Sequence, residues 1–450
     1  MKHRQARGLG VAAIALALAV AASAAGGSSK STAANGKQAP KRNTAVSGTI
    51  TFDGIWTSSS GAKQFADVIE EFNKTFPNVK VKYKPVGNNL PTVLATAVAG
   101  GHPPDMADIA QPGYVKELAD QGKLKPITYA KKEIAKNFAP AWVQLGTFGG
   151  KTYALVFKAA NKSLVWYNVP TVKAAGVQPP KTWTRLLSVA KTLKSSGVPA
   201  FSIGGADGWT LTDLFENIYL RTFGPAKYAD LSAHRIKWTD PSVTTALKTM
   251  AQILGDTSNI AGGTSGALQY GFNDSVTNAF ADPPKAAMVF EADFVGGVIL
   301  SSTKAKPNTG FNVFPFPVTK AGSPGSTGVE IGGDLIVTFR DTPAIRAFMT
   351  FLASPEAAAA WAKSGGFGTG NRNMSPSVFP DPITRATEVP IQKAKSVVFD
   401  MSDQQPASFG ATTGQGEWGI FQKFLRNPSD VGGIQKQLEA SAAKAYKKGK

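Results

Sequence analysis

The sequence predicts an α/β protein in two lobes, and three observations carry that prediction. From Gly48 onward, stretches with an apolar residue at every second position alternate with stretches whose apolar residues recur every three or four. These are the patterns of strands and of amphipathic helices. The turns between them are short, and strand–helix–strand units joined this way pair their strands in parallel. The alternation lasts about 400 residues, more than one α/β domain organises comfortably around a single core.

The elements follow in order. "GTITFDGIW" (Gly48–Trp56) is a strand in which Ile50 and Phe52 share a face. "SGAKQFADVIEEFNKTFP" is a helix with Phe65, Val68, Ile69, Phe72 and Phe76 along one stripe, Ser59 or Ser60 as its cap and Pro77 past its end. "NVKVKY" is a second strand, "PTVLATAVAGG" a helix ended by glycine, "PDMADIA" a strand and "GYVKELADQGKL" a helix. In "KSLVWYN", Leu164, Val165 and Trp166 read as a buried strand. "PKTWTRLLSVAKTLKSSG" and "SVTTALKTMAQILG" are helices, and "VPAFSIGG", "KAAMVFEADF" and "GFNVFPFP" are strands. "TPAIRAFMTFLASPEAAAAWAKSGG" is a helix pair broken at Ser354–Pro355.

Ahead of these elements, Lys2, Arg4 and Arg7 precede the apolar run Leu9–Val20, and the small residues "AASAAGGSS" (Ala21–Ser29) follow. Positive, apolar, then small is the order of a secretory signal peptide. The expected signal covers 1–25, with cleavage near Ala24–Gly27. The apolar run is shorter than the roughly 20 residues of a spanning helix. Residues 26–47 are Gly, Ser, Ala, Lys and Pro with almost no apolar side chain, and read as a disordered tether.

The chain carries 49 basic and 30 acidic side chains, a net charge of +19; without Lys2, Arg4 and Arg7 the balance is 46 against 30, or +16. The lysines are scattered apart from the tail Lys444–Lys450, and no basic-aromatic signature for nucleic acid occurs. A basic envelope protein that binds anionic polymer is therefore a minor alternative. With no cysteine there is no disulfide, thiolate metal site or catalytic thiol. Only His3, His102 and His234 occur, which leaves little for a transition metal. No Gly-x-Ser-x-Gly elbow is present. "GGKT" (Gly149–Thr152) has Leu145 where a phosphate loop needs its first glycine, and "GGFGTG" (Gly365–Gly370) lacks the strand-then-helix setting of a dinucleotide site.

Carboxylates remain. Asp213, Glu216, Glu291, Asp293, Glu330, Asp334 and Glu417 include the material for a glycosidase pair. Their company suggests another use. Trp209 stands just ahead of Asp213 and Glu216, Phe290 and Phe294 bracket Glu291 and Asp293, and Trp418 follows Glu417. Sugars offer a C–H face to aromatic rings and hydroxyls to ionised acceptors.

"NKSLVWYN" (Asn161–Asn168), with "GGHPPDMADIAQPG" (Gly100–Gly113), "GKTYALVFKAANKSLVWYN" and "PPKTWTRLL", resembles the bacterial extracellular solute-binding proteins of family 1. These are the maltose-binding-protein-like receptors of ABC sugar importers. "NNLPTVLATAVAGGHPPD", "GADGWTLTDLFENIYL" and "FDMSDQQPASFG" are most similar to the α-glucoside-binding branch. The resemblance implies a periplasmic-binding-protein-like fold with a hinge and an interlobe cleft, its N-lobe 48–157 plus 335–380 and its C-lobe 158–334 plus 381–450. It implies capture of a di- or oligosaccharide, an α-glucoside, by lobe closure and delivery to a membrane permease. It implies a monomeric receptor, with no part expected for catalysis, cofactor, metal or nucleic acid. A secreted glycoside hydrolase is the alternative.

Carried over onto this chain, the resemblance points to Gln111 in the loop after "PPDMADIA", and to Asp207 and Trp209 in "GADGWTLTD". "FEADF" offers Glu291, Asp293 and Phe294, where the family often has a tryptophan. "GGDL" offers Gly332, Gly333 and Asp334, "GEWG" offers Trp418, and Trp56 ends the first strand. The expected location is the periplasm or the outer face of the cell membrane. Ala25 stands where such receptors carry a lipidated cysteine, so no lipid anchor is expected.

Overall fold

The computed structural model describes residues 41–57, 61–326, 328–393 and 397–448. The signal segment, the first part of the tether, and Ser59 and Ser60 lie outside the described residues; the helix they were expected to cap runs Ala62–Thr75 after Gly61.

The strands are β1 (Gly48–Gly54), β2 (Val79–Pro85), β3 (Met106–Ile109), β4 (Thr147–Phe148), β5 (Lys151–Thr152), β6 (Ala154–Asn161), β7 (Leu164–Asn168), β8 (Met288–Phe290), β9 (Phe311–Pro315), β10 (Glu330–Thr338) and β11 (Val398–Phe399). The larger sheet has the order β11-β10-β3-β1-β2, and β6 also pairs with β10. β1 is parallel to β2 (Ile50 opposite Val81) and to β3 (Phe52 opposite Met106), as strand–helix–strand units require. β10 runs antiparallel to β3 and to β6. A second sheet, β8-β7-β9, is antiparallel.

Each sheet has its own apolar core. One collects Ile50, Phe52, Phe65, Phe72, Ile336 and Phe348; the other collects Val165, Leu186, Phe215, Leu247, Phe290 and Phe421. The sheets thus belong to two α/β lobes. "VPAFSIGG" contributes only bridges at Phe201, because its following residues turn into the Gly204–Gly205 bend. The helix pair breaks where expected: Ser354 accepts from Ala357 N–H at 3.2 Å and Pro355 opens the second helix.

The chain passes between the lobes three times. β6 of the first sheet gives way to β7 of the second, β9 returns to β10, and β11 leads into the short helix Met401–Gln404 packed on the helix Trp209–Ser232. The boundaries drawn at 157/158 and 334/335 fall inside β6 and β10, whose burial is continuous across them. The segment 381–450 likewise begins on the first lobe's side, since β11 pairs with β10 (Glu330 opposite Val398). Asn43 to Val46, within the stretch read as tether, are held: Asn43 N–H donates to Thr75 O at 2.7 Å and Asn78 donates to Thr44 O at 2.9 Å. Val46 packs on the first core, which is the apolar contact that fixes this end of the stretch. Among the described residues, no helix is long and apolar enough to cross a membrane.

Candidate functional site

A cleft of about 190 Å³ lies between the lobes, lined by residues of both. On the first lobe, β1 delivers Trp56. Its backbone N–H donates to Tyr83 Oη and Ile55 N–H donates to Asp108 Oδ1, each at 2.9 Å, so the exit of β1 is fixed from two neighbouring strands. Gly54 is needed there: a Cβ would stand 2.3 Å from Tyr83 Oη and 2.5 Å from Asp108 Oδ2. The indole N–H of Trp56 donates to Asp334 Oδ2 at 2.7 Å, and Lys158 pairs with the same oxygen at 3.6 Å. Gln111 precedes the helix Pro112–Asp120 and donates across the cleft to Asp403 at 3.0 Å, leaving its own carbonyl buried without a partner.

On the second lobe, Trp209 opens the helix Trp209–Ser232. Gly208, at φ 84°, brings that turn against the helix Gly416–Arg426; a Cβ at Gly208 would lie 2.7 Å from Trp418 Cβ. Trp209 packs with Phe272 (5.4 Å between centroids) and Phe294 (6.2 Å), making an aromatic wall. Lys162 and Lys158 sit over Trp209 and Phe294, at 5.7 and 5.0 Å. The indole N–H groups of Trp209 and Trp418 are buried without partners, two donors on the cleft wall.

Of the expected residues, Trp56, Gln111, Trp209, Phe294, Gly333, Asp334 and Trp418 line the cleft. Asp207, Glu291 and Asp293 do not. Asp207 caps the helix Phe272–Phe280 by accepting from Phe272 N–H, and accepts from Asn88 of the opposite lobe at 3.1 Å. The pleat after β8 sends Glu291 inward, where it is 2 % exposed and faces Asp213. Asp293 accepts from Asn161 N–H and faces Glu388. Gly332 also serves another purpose than approach to a ligand: a Cβ there would meet Lys162 Cε at 2.5 Å, so the glycine makes room for the lysine stem.

Lys158, Lys162, Phe272, Asp400 and Asp403 line the cleft without having been expected. Behind them lies a buried acidic cluster. Burial pushes Glu216, Glu291, Glu330, Asp403 and Glu417 well above the usual carboxylate range, and Asp213 to about 7. Asp400 goes the other way: burial opposes ionisation, but Lys162 and the N–H of Asp403 hold its carboxyl below the ordinary value. Lys162 remains charged against its own burial because Asp213, Asp400 and Asp403 surround it. The wall therefore carries aromatic faces, fixed N–H donors and carboxylates already neutralised from within. That arrangement suits a neutral polyhydroxylated molecule.

The chain compares with known proteins as follows. The family model described as "Bacterial extracellular solute-binding protein" matches residues 56–359. The osmoprotective compounds-binding protein GgtB of Synechocystis sp. is 31 % identical over 343 residues, covering 74 % of this chain and 80 % of that protein. The alpha-glucosides-binding periplasmic protein AglE of Rhizobium meliloti is 30 % identical over 377 residues, 81 % of each chain. Among solved structures, the bacterial solute receptor AcbH, with its preference for β-D-galactopyranose, superposes with a TM-score of 0.76 at 20 % identity over 89 % of this chain and all of that one (100 %), which bears on the fold.

Proposed function

The chain belongs to the bacterial extracellular solute-binding proteins, and from that premise we propose that it is the exported receptor of an ABC sugar importer. It captures a small α-glucoside between its lobes and presents the closed form to a membrane permease. The observation that carries the reading is the wall of Trp209, Phe272 and Phe294, with Asp403 on its side, facing Gln111 and Asp334 across the cleft. AglE, named for α-glucosides, supports the sugar class. The reading includes a monomeric receptor that binds without turnover.

A hydrolase finds less support. Of the seven carboxylates considered for it, Asp334 alone lines the cleft, and it is engaged by Trp56 and Lys158. The relatives named above are binding proteins.

A thermal-shift and calorimetry panel of trehalose, sucrose, maltose, raffinose, galactose and glycerol 3-phosphate tests the proposal. A sugar at a hundredfold its Kd stabilises the fold by about 2.7 kcal/mol, and the melting temperature rises. Response to an α-glucoside without product formation is the expected result; silence toward every sugar removes the class.

Closure has its own test. Asn88 donates to Asp207 across the cleft, so this bond exists only when the lobes meet. Asn88→Ala is expected to weaken any bound sugar about fivefold, the worth of one net hydrogen bond. Stopped-flow tryptophan fluorescence should show the loss in the dissociation rate. An unchanged rate would mean the bond forms independently of closure.

A further inference from the structure

We propose that Lys162 is the positioning residue of the hinge: its backbone N–H joins the first passage between the lobes to the second, and its ammonium joins the first to the third and holds Asp400 and Asp403 in place on the cleft wall. Lys162 lies on the first passage, between β6 and β7; Glu330 begins β10 on the second; Asp400 follows β11 on the third. Carboxylate oxygens of Glu330, Asp400 and Asp213 lie within 4.8 Å of one another. Lys162 bonds Asp400 directly, reaches Asp213 of the second lobe at 3.2 Å, and stands 4.0 Å from Asp403.

The backbone repeats the connection. Lys162 N–H donates to Glu330 O at 2.9 Å, and Asp400 N–H donates to Ile331 O at 2.9 Å. Asn217 donates to both Lys162 O and Glu330 Oε2 at 3.0 Å. The groups facing this point are Asp213, Glu216, Arg221 and Tyr228 from one helix, Glu291 after β8, Glu330, Asp400 and Asp403, and Glu417 from the helix behind. Among the described residues, Lys162 is the cation that pairs with Asp213, Asp400 and Asp403 within 4 Å.

Asp400 stays ionised among these crowded, buried acids because the ammonium of Lys162 stands against it. Lys162 stands on the first passage and Asp400 on the third, so the ion pair sets the angle at which the lobes meet. Asp400, Ser402 and Asp403 line the cleft on the same short turn. A contact there is thus one residue away from the hinge. The inference rests on the reading that the lobes move about these passages to take up a sugar.

The test uses no sugar, so a failure to find one leaves it readable. Because the chain has no cysteine, Lys123→Cys and Lys248→Cys place spin labels on exposed positions, one per lobe. Electron–electron distance measurements on the full chain are made between about pH 6 and pH 9. The parent should show a narrow distribution that does not move with pH. Lys162→Met should widen and shift it in a pH-dependent way, and Lys162→Arg should restore it. Should Lys162→Met fail to fold, Lys162→Met with Asp400→Asn removes a balanced pair and should still widen the distribution, because Asp213 loses the cation it pairs with. Either methionine variant matching the parent at every pH overturns the proposal.

Discussion

Alanine in place of Trp209 is expected to raise the dissociation constant of the best-binding sugar about 100-fold, or about 2.7 kcal/mol. The ring is half-buried, on the cleft side of the helix it opens, with Phe272 and Phe294 beside it. Packing against a sugar's C–H face contributes area burial plus a stacking gain of about 1 kcal/mol. The buried indole N–H, unpartnered now, adds a hydrogen bond worth about 1 kcal/mol when a hydroxyl reaches it. Trp209→Phe keeps the ring and loses the donor, so it should cost only about fivefold. The melting temperature without sugar should change little, because the ring belongs to the wall and to a satellite cluster at its back. Calorimetry on both variants separates the two contributions. Alanine binding within threefold of the parent would remove Trp209 from the site.

The same residue shows how far the sequence could be read. Period-two and period-three-and-four patterns reveal strands and helices because each burial pattern leaves its mark on neighbouring residues. The partner of a strand leaves none, so the antiparallel insertion of β10 between β3 and β6 had no local sign. An aromatic beside an acid led to Trp209, Phe294 and Trp418, which line the cleft. The acids beside them went astray. These neighbours sit in helices and tight turns, where adjacent side chains point about 100° apart, so the position that turns a ring to the cleft sends the acid beside it elsewhere. Phe399–Asp400 fits the same pattern and points at acids the expectation lacked. Lys158 was legible too, as a single charge in the apolar run "ALVFKAA" of a strand buried along its whole length. What could not be read is the meeting of Lys162, Glu330 and Asp400, which are brought together only by the three passages of the chain.

Asparagine at position 293 is expected to make the protein more stable above neutral pH and to leave it unchanged near pH 5. Burial, offset in part by the N–H of Asn161 and by Lys158, raises the Asp293 carboxyl from 3.8 to about 7. Glu388 opposite is also raised, by burial and then by Asp293 itself. Both Glu388 oxygens lack a hydrogen-bond donor among the described residues, so the pair is comfortable only while it shares a proton. The sign follows from which state holds that proton. Between about pH 4 and pH 7 the unfolded chain has lost it and the folded chain keeps it, so stability falls as pH rises through this window. Three pH units correspond to an upper scale of about 4 kcal/mol. In Asp293→Asn the amide oxygen still accepts from Asn161, and the amide N–H₂ supplies Glu388 with a donor that needs no proton from solution. The variant's melting temperature should therefore decline less steeply than the parent's from pH 5 to pH 8, with the curves meeting at the acid end. Parallel curves would show that Asp293 is already ionised in the folded protein, with Lys158 rather than Glu388 as its effective partner.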